Sequence, residues 1–266
     1  MMRFREFGFA LSVLAAPLAA CPEPVQAADM AMDAEAAVFE EPAPDWSFTV
    51  APYFWMAGLS GSIGDFGAPP VDVDVKFVDI LKSLDFSMMM VSEARYGRFS
   101  LSSDLLFLKV SANGSSPFGV LASTIGVGSK TFEFTALGGY ALIDTPDGRL
   151  DVVAGARVWS VETTLSFAGG PLGGLWLRDS QTWVDAMAGL KGRMNVTPQV
   201  YLTGWAIAGG GSSDSSWDVL GGVGYDFSDR FSAVLGYRAA GVDYQNGPFV
   251  FDVTMQGPIL GAVFRF

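Results

Sequence analysis

Any chemistry in this chain has to be done without histidine, of which its 266 residues contain none, and with a single cysteine, Cys21. That removes Ser-His-Asp hydrolysis, His-dependent proteases and acyl hydrolases, and histidine metal sites. No Ser-x-x-Lys spacing supplies a serine–lysine nucleophile. Gly126-Val127-Gly128-Ser129-Lys130-Thr131 has the outline of a phosphate loop, but no glycine precedes Lys130 and the stretch runs into a strand pattern instead of a helix. Asp72-Val73-Asp74 begins like a calcium loop, yet Lys76 stands at the next ligand position and no glycine follows. The expectation is a protein with no enzymatic activity, no cofactor and no metal.

What remains is charge at regular spacing. Glu93, Arg95, Asp104, Glu133, Asp151, Arg157, Asp185, Lys191, Arg193, Asp218, Asp226, Arg238 and Arg265 fall at one parity of strand-like segments. Apolar residues such as Phe86, Met88, Leu101, Phe107, Phe134, Val158, Val184, Leu190, Val223 and Tyr225 fall at the other. Successive side chains of a strand point to opposite faces, so each segment has one apolar face and one charged face. A soluble sandwich would turn the charges to water. Here the very apolar face needs a large apolar surround, for which lipid is the simpler source, and the charges then face a lumen. Acids and bases are nearly matched, which suits a salt-bridged plug, since buried charges must be paired. The alternative is a narrow polar conduit whose charged wall tunes ion preference.

The elements that would position these residues are strands. Charged residues make up 17% of the chain and mean hydropathy is +0.33, greasier than a typical soluble domain. No apolar run outside the first residues reaches the length of a membrane helix, and only helices and closed barrels satisfy their backbone groups in lipid. From Trp46 to about Ser60 aromatic and aliphatic residues alternate with smaller ones, and nine further strand-like segments follow. They lie near 85–96, 99–112, 125–143, 150–167, 180–195, 199–208, 216–227, 231–245 and 249–266. Tight turns at Gly97-Arg98, Pro146-Asp147-Gly148, Thr197-Pro198 and Ser228-Asp229-Arg230 alternate with longer connections at 61–84, 113–124, 168–179 and 209–215. Ten strands with short turns at one end and longer loops at the other satisfy the arithmetic of an all-β, antiparallel up-and-down transmembrane barrel over residues 46–266.

Two local features refine that expectation. In the first long connection Phe77, Ile80, Leu81 and Leu84 recur at helical spacing, which predicts a short amphipathic helix over 75–84 at the outer mouth. In the last segment Asp252, Thr254 and Gln256 share parity with Phe264 and Phe266, which would set them in hydrocarbon. A β-bulge near Gly257-Pro258 is expected to return them to the lumen.

The first residues read as an export signal. Arg3 and Arg5 precede an apolar run from Phe7 to Ala20, and Val25-Gln26-Ala27 offers cleavage before Ala28. Leu18-Ala19-Ala20-Cys21 also fits a lipobox, in which Cys21 would be lipidated and become the first residue. Residues 28–45 hold six acids, no base, and Pro42 and Pro44, the composition of a solvated acidic tail. Removal of 1–27 takes away Arg3 and Arg5 with Glu6 and Glu23, so the net charge of −12 is unchanged and nucleic acid is an unsuitable partner.

Trp183-Val184-Asp185, Gly224-Tyr225-Asp226-Phe227-Ser228-Asp229-Arg230-Phe231, Leu235-Gly236-Tyr237-Arg238 and Gly257-Pro258-Ile259-Leu260 carry a family resemblance. Pro52-Tyr53-Phe54-Trp55 and Gly155-Ala156-Arg157-Val158-Trp159 extend it, so that it runs from about Trp46 to Phe266. On these motifs the chain resembles the uncharacterised outer-membrane β-barrel proteins of alphaproteobacteria. The resemblance implies residence in the bacterial outer membrane, contact with its lipid, and an aromatic C-terminal strand, Phe264 and Phe266, read by the outer-membrane assembly machinery. One departure is Trp205 and Ile207, where such proteins usually carry inward charges in the seventh strand. The functional expectation is an integral outer-membrane protein with a structural, envelope-integrity or surface-interaction role. A passive channel for ions or small solutes is the alternative, and a soluble lipocalin-like binder a third.

Overall fold

A computed structural model describes residues 46–67, 69–115 and 124–266; the predicted export signal, Cys21 and the acidic tail lie outside them. Among the described residues the strands are β1 (Trp46–Trp55), β2 (Gly58–Gly64), β3 (Val71–Val75), β4 (Leu84–Tyr96), β5 (Phe99–Ser115), β6 (Thr124–Thr145), β7 (Gly148–Ala168), β8 (Trp176–Asn195), β9 (Val200–Gly211), β10 (Ser215–Ser228), β11 (Phe231–Asn246) and β12 (Phe249–Arg265). A single helix, α1, spans Phe77–Lys82.

Ten of these strands close a ring. β1 pairs with β4, each strand from β4 to β12 pairs with the next, and β12 pairs back to β1, antiparallel throughout. A closed ring leaves no edge of unpaired N–H and C=O groups, which an open sheet cannot manage in an apolar solvent. The expected ten-strand antiparallel barrel is therefore the observed fold. Two-residue and similarly short turns join β4 to β5, β6 to β7 and β10 to β11 at one end, where β1 also starts and β12 also stops. This is the turn end, and the opposite one is the loop end.

The strands run further toward the loop end than expected, so the loops there are shorter. β8 starts at Trp176, within the expected 168–179 connection, and β9 and β10 leave only three residues between them. The first connection is a second correction. β2 continues β1 in register along β12, from Thr49 opposite Arg265 to Gly64 opposite Val250, and β3 folds back onto β2 from Leu59–Val75 to Ile63–Val71. The Asp72-Val73-Asp74 stretch is thus a strand, with Ser62 Oγ donating to Asp72, and the phosphate-loop-like 126–131 lies within β6. The predicted helix shrinks to six residues, because Val75 ends β3 and Leu84 opens β4. None of its side chains is buried. Phe77 rests edge-on against Phe54 with ring centroids 5.8 Å apart, while Leu81 is exposed.

The expected bulge at Gly257-Pro258 is absent. Register against β11 is unbroken from Phe231–Phe264 to Asn246–Phe249. The polar residues face outward because β12 is longer than its apolar band. Pro258 to Phe266 spans nine residues, the length a tilted strand needs to cross a hydrocarbon layer. Gln256, Thr254 and Asp252 lie beyond it toward the loop end. Strands β5 to β8 likewise change character toward the loop end, where Lys109, Lys130, Glu162 and Arg178 point outward. Lys130 pairs with Glu162 at 2.9 Å, and Arg178 pairs with the same carboxylate. At the turn end the outer face is ringed with aromatics in mutual contact. Trp46 meets Phe48 and Tyr96, Phe99 meets Tyr140, and Tyr225, Phe227, Phe231 and Phe264 form a chain at 4.9–5.5 Å. An apolar band edged by such a girdle is the outer face of a membrane barrel.

Close backbone approach is confined to particular glycines. A Cβ on Gly257 would lie 2.1 Å from the Met56 carbonyl oxygen at the β12–β1 closure, whereas one on outward-facing Gly221 would meet nothing within 4 Å. Gly257→Val should therefore destabilise the barrel by roughly 1–3 kcal/mol or prevent closure, and Gly221→Val should stay within about 0.5 kcal/mol of the parent. Urea unfolding in lipid vesicles checks both, and equal effects would refute the closure argument.

Candidate functional site

All thirteen charged residues singled out above sit at inward positions, and the register sorts them into levels. At mid-height lie Asp104, Glu133, Arg157, Asp218 and Arg238, from β5, β6, β7, β10 and β11. Asp218 is the hub. Its Oδ2 accepts from Arg157 Nη2 at 2.7 Å and Arg238 Nη2 at 2.6 Å, and its Oδ1 accepts from Trp205 Nε1 at 2.8 Å. Arg238 also reaches Asp104 at 2.7 Å and donates to the Tyr53 hydroxyl at 2.6 Å, which in turn donates to Asp104 at 2.8 Å. Arg157 completes the layer through Glu133 at 3.1 Å and Thr135 Oγ1 at 2.8 Å. Both guanidinium groups are essentially inaccessible, at 1% and 0% exposure, so these ties cross a buried interior.

Carboxylate oxygens of Asp104, Glu133 and Asp218 come within 4.8 Å of one another, close enough to hold a metal ion. The donor set argues against it: two guanidinium groups already occupy the same oxygens at 2.6–3.1 Å, and a cation placed there would face both of them. The cluster is better described as a cross-lumen ion network than as a metal centre.

Toward the turn end lie Glu93, Arg95, Asp151, Lys191, Arg193, Asp226 and Arg265. Arg95 pairs with Glu93 and Asp151, and Lys191 shares Glu93. Arg193 and Arg265 share Asp226, each at 2.8 Å, and Arg193 lies flat over the Tyr201 ring at 3.5 Å. All of these but Asp226 line a cavity of about 350 Å³. Asp185 stands apart, fully buried nearer the loop end, where its Oδ1 accepts from the Ser213 backbone N–H at 2.9 Å and so holds the β9–β10 connection.

On the loop-end side of the ion network the lumen is filled by an apolar layer that parity alone did not single out. Trp159, Trp183, Val161, Val242, Tyr244, Phe249, Phe251 and Val253 are buried together, and Leu59, Ile63 and Met255 pack against them. Trp183 stacks on Tyr244 with centroids 4.1 Å apart and on Trp159 at 5.9 Å. Their inward parity was legible, since Trp159 and Trp183 stand two residues from Arg157 and Asp185. Tyr53, Thr135, Tyr201 and Trp205 were likewise missed as members of the networks. Trp205, the apparent departure from an inward charge, serves that level as a donor to Asp218.

The remaining predicted residues lie elsewhere. Phe77, Ile80, Leu81 and Leu84 stand at the loop end, Ile80 and Leu84 half-buried. Phe264 packs against Phe231 on the outer face, while the Phe266 side chain is exposed and its backbone exchanges two hydrogen bonds with Phe48.

No family model matches this chain, and no curated protein matches it. Among solved structures it is similar to the outer-membrane protease OmpT of Escherichia coli, with a TM-score of 0.54 at 11% identity over 84% of this chain and 97% of that one. The translocator domain of autotransporter NalP from Neisseria meningitidis gives 0.41 at 13% identity over 85% and 90%. Ail, the attachment invasion locus protein of Yersinia pestis, gives 0.34 at 13% identity over 83% and 98%. The first of these likenesses carries the fold: this chain is a closed antiparallel barrel of the outer-membrane type.

The two charge levels differ in exposure, and so should their truncations. Arg238→Ala, which takes the cationic partner from Asp104 and one of two from buried Asp218, should cost about 3–5 kcal/mol, whereas Arg193→Ala at the partly open mouth should cost under about 1 kcal/mol. Urea unfolding of the two variants in vesicles measures the difference.

Proposed function

We propose that this protein is an integral barrel of the bacterial outer membrane whose lumen is closed, and that its role is structural, in envelope integrity or in surface interaction. The observation that carries the reading is the filling of the lumen by two successive layers, the Arg157–Asp218–Arg238 network and the Trp159–Trp183–Tyr244 stack. An ion crossing the barrel would have to displace both. The outer apolar band, the aromatic girdle and the fold likeness support residence in an outer membrane, with the turn end toward the periplasm. The absence of histidine from the chain supports a non-catalytic role.

A passive conduit remains the competing reading, favoured by the cavity that enters the lumen from the turn end. That cavity narrows at the ion network, where a second one of only about 30 Å³ is lined by Asp104, Arg157 and Asp218, so the conduit reading requires the network to open. Full-length protein expressed in a Gram-negative host should fractionate with the outer membrane and, once purified and inserted into planar bilayers, should give no discrete current steps. Steps that change when Asp218 or Arg238 is neutralised would replace the closed-barrel reading with a channel.

A further inference from the structure

The turn-end cavity has two unlike walls. On the half of the ring from β4 to β8 its charged lining is Arg95, Glu93, Arg149, Asp151 and Lys191. On the half from β10 through β12 to β1 it is lined by Leu220, Val234, Ile259 and Val263. Its floor is the ion network, reached at Tyr53 and Trp205. The charges tie β4 to β7 and β8 across one half of the lumen, through Arg95–Asp151 and Lys191–Glu93, and leave the aliphatic half of the wall open to the cavity.

The charges also fail to cancel at the mouth. The wall is neutral, with Arg95 and Lys191 set against Glu93 and Asp151, and Arg149, which also lines the cavity, paired with Asp144 at 2.6 Å. At the mouth Arg193 and Arg265 share the single carboxylate of Asp226, which leaves one surplus positive charge. The two guanidinium groups are held in place, Arg193 by stacking on Tyr201 and Arg265 by a 2.9 Å bond to Ser232 Oγ. Their side chains are 35% and 24% exposed, so they are reachable from the mouth and partly desolvated. Planar forks so placed match carboxylate and phosphate oxygens. Deeper in, Val263, Val234, Ile259 and Leu220 offer the apolar surface that usually dominates a small-molecule site, and about 350 Å³ lies within the range of such sites.

We propose that this cavity binds a small amphiphilic monoanion, a carboxylate or phosphate head held between Arg193 and Arg265 with its apolar body against Val234, Ile259 and Leu220. That the ligand enters from the periplasm rests on the orientation proposed above. That the cavity binds it does not.

The test is equilibrium binding of octanoate and of octyl phosphate to full-length protein in lipid nanodiscs, with empty discs subtracted and octanol and octylammonium as controls. We expect saturable binding of about one anion per barrel, with both controls at least about tenfold weaker, as the loss of a charge-assisted hydrogen bond implies. The Arg193→Gln/Arg265→Gln variant should lose about tenfold in affinity for the anions, and Val234→Trp, which fills the apolar side, should lose binding with both arginines intact. Gel mobility before and after heating reports whether each variant is folded. If the arginine variant does not fold, Val234→Trp and the controls decide. The better of the two anions identifies the head group, carboxylate or phosphate. Equal retention of octanol or octylammonium, no saturable excess over empty discs, or unchanged binding by a folded variant would overturn the proposal. A barrel that conducts yet binds the anion overturns only the closed-lumen reading; a silent barrel that fails to bind overturns only this one.

Discussion

Everything in this molecule depends on the pairing of β12 with β1. A sheet that closes on itself pairs backbone donors and acceptors all the way round the ring, and it makes inside and outside global properties of the chain. From Thr49 opposite Arg265 to Gly64 opposite Val250 the closure holds one register, and the same alternation continues strand by strand around the ring. One local fact, the parity of a residue, therefore decides whether a side chain meets the apolar surround or the lumen. A one-residue slip at the closure would turn Phe264 inward and Arg265 outward, which is why such registers are strongly specified.

Closure also dictates what the interior may contain. Charges turned inward lose water and must find partners at fixed heights, because each strand delivers its side chains only at alternate positions. The mid-height layer meets this with two arginines rather than lysines, and the forked guanidinium lets Arg238 serve Asp218, Asp104 and Tyr53 at once. A network of this kind is weak evidence for stability, since well-packed apolar residues of similar size often serve as well. The layer next to it makes that comparison within one barrel: Trp159, Trp183 and Tyr244 stack there among Val161, Val242, Phe249, Phe251 and Val253, with no ion pair among them.

Parity explains both how much was legible in the sequence and where reading it went wrong. The ten strands, the two faces and the inward set of thirteen charges follow from a period of two. Which charge meets which does not, because Arg157 on β7 finds Asp218 on β10 through the curvature and stagger of the ring, which no short stretch encodes. The expected bulge failed for a related reason. It assumed that a polar outward residue must be corrected, when Asp252, Thr254 and Gln256 lie past the end of the apolar band on a strand longer than that band. The six-residue helix was legible as a helical spacing, but its ends were set by strands β3 and β4, whose pairing is a tertiary fact.

The same logic accounts for the one irregular sector of the wall. β1 pairs with β4 only from Trp46–Tyr96 to Pro52–Met90, although β4 pairs with β5 as far as Leu84. Proline has no N–H to donate, so Pro52 is suited to the last position of a ladder, and the strand carries on toward the loop end with a free edge. An exposed edge invites pairing with another chain. Here β3 returns along part of that edge, pairing with Leu59 to Ile63, and α1 then carries the chain on to β4, with the Ser111 N–H donating to Ser83 at 2.8 Å beside it. The hairpin in the first connection thus covers part of the edge that a short seam leaves open, from Leu59 to Ile63. This also explains why a stretch that reads as loop by composition folds as strand.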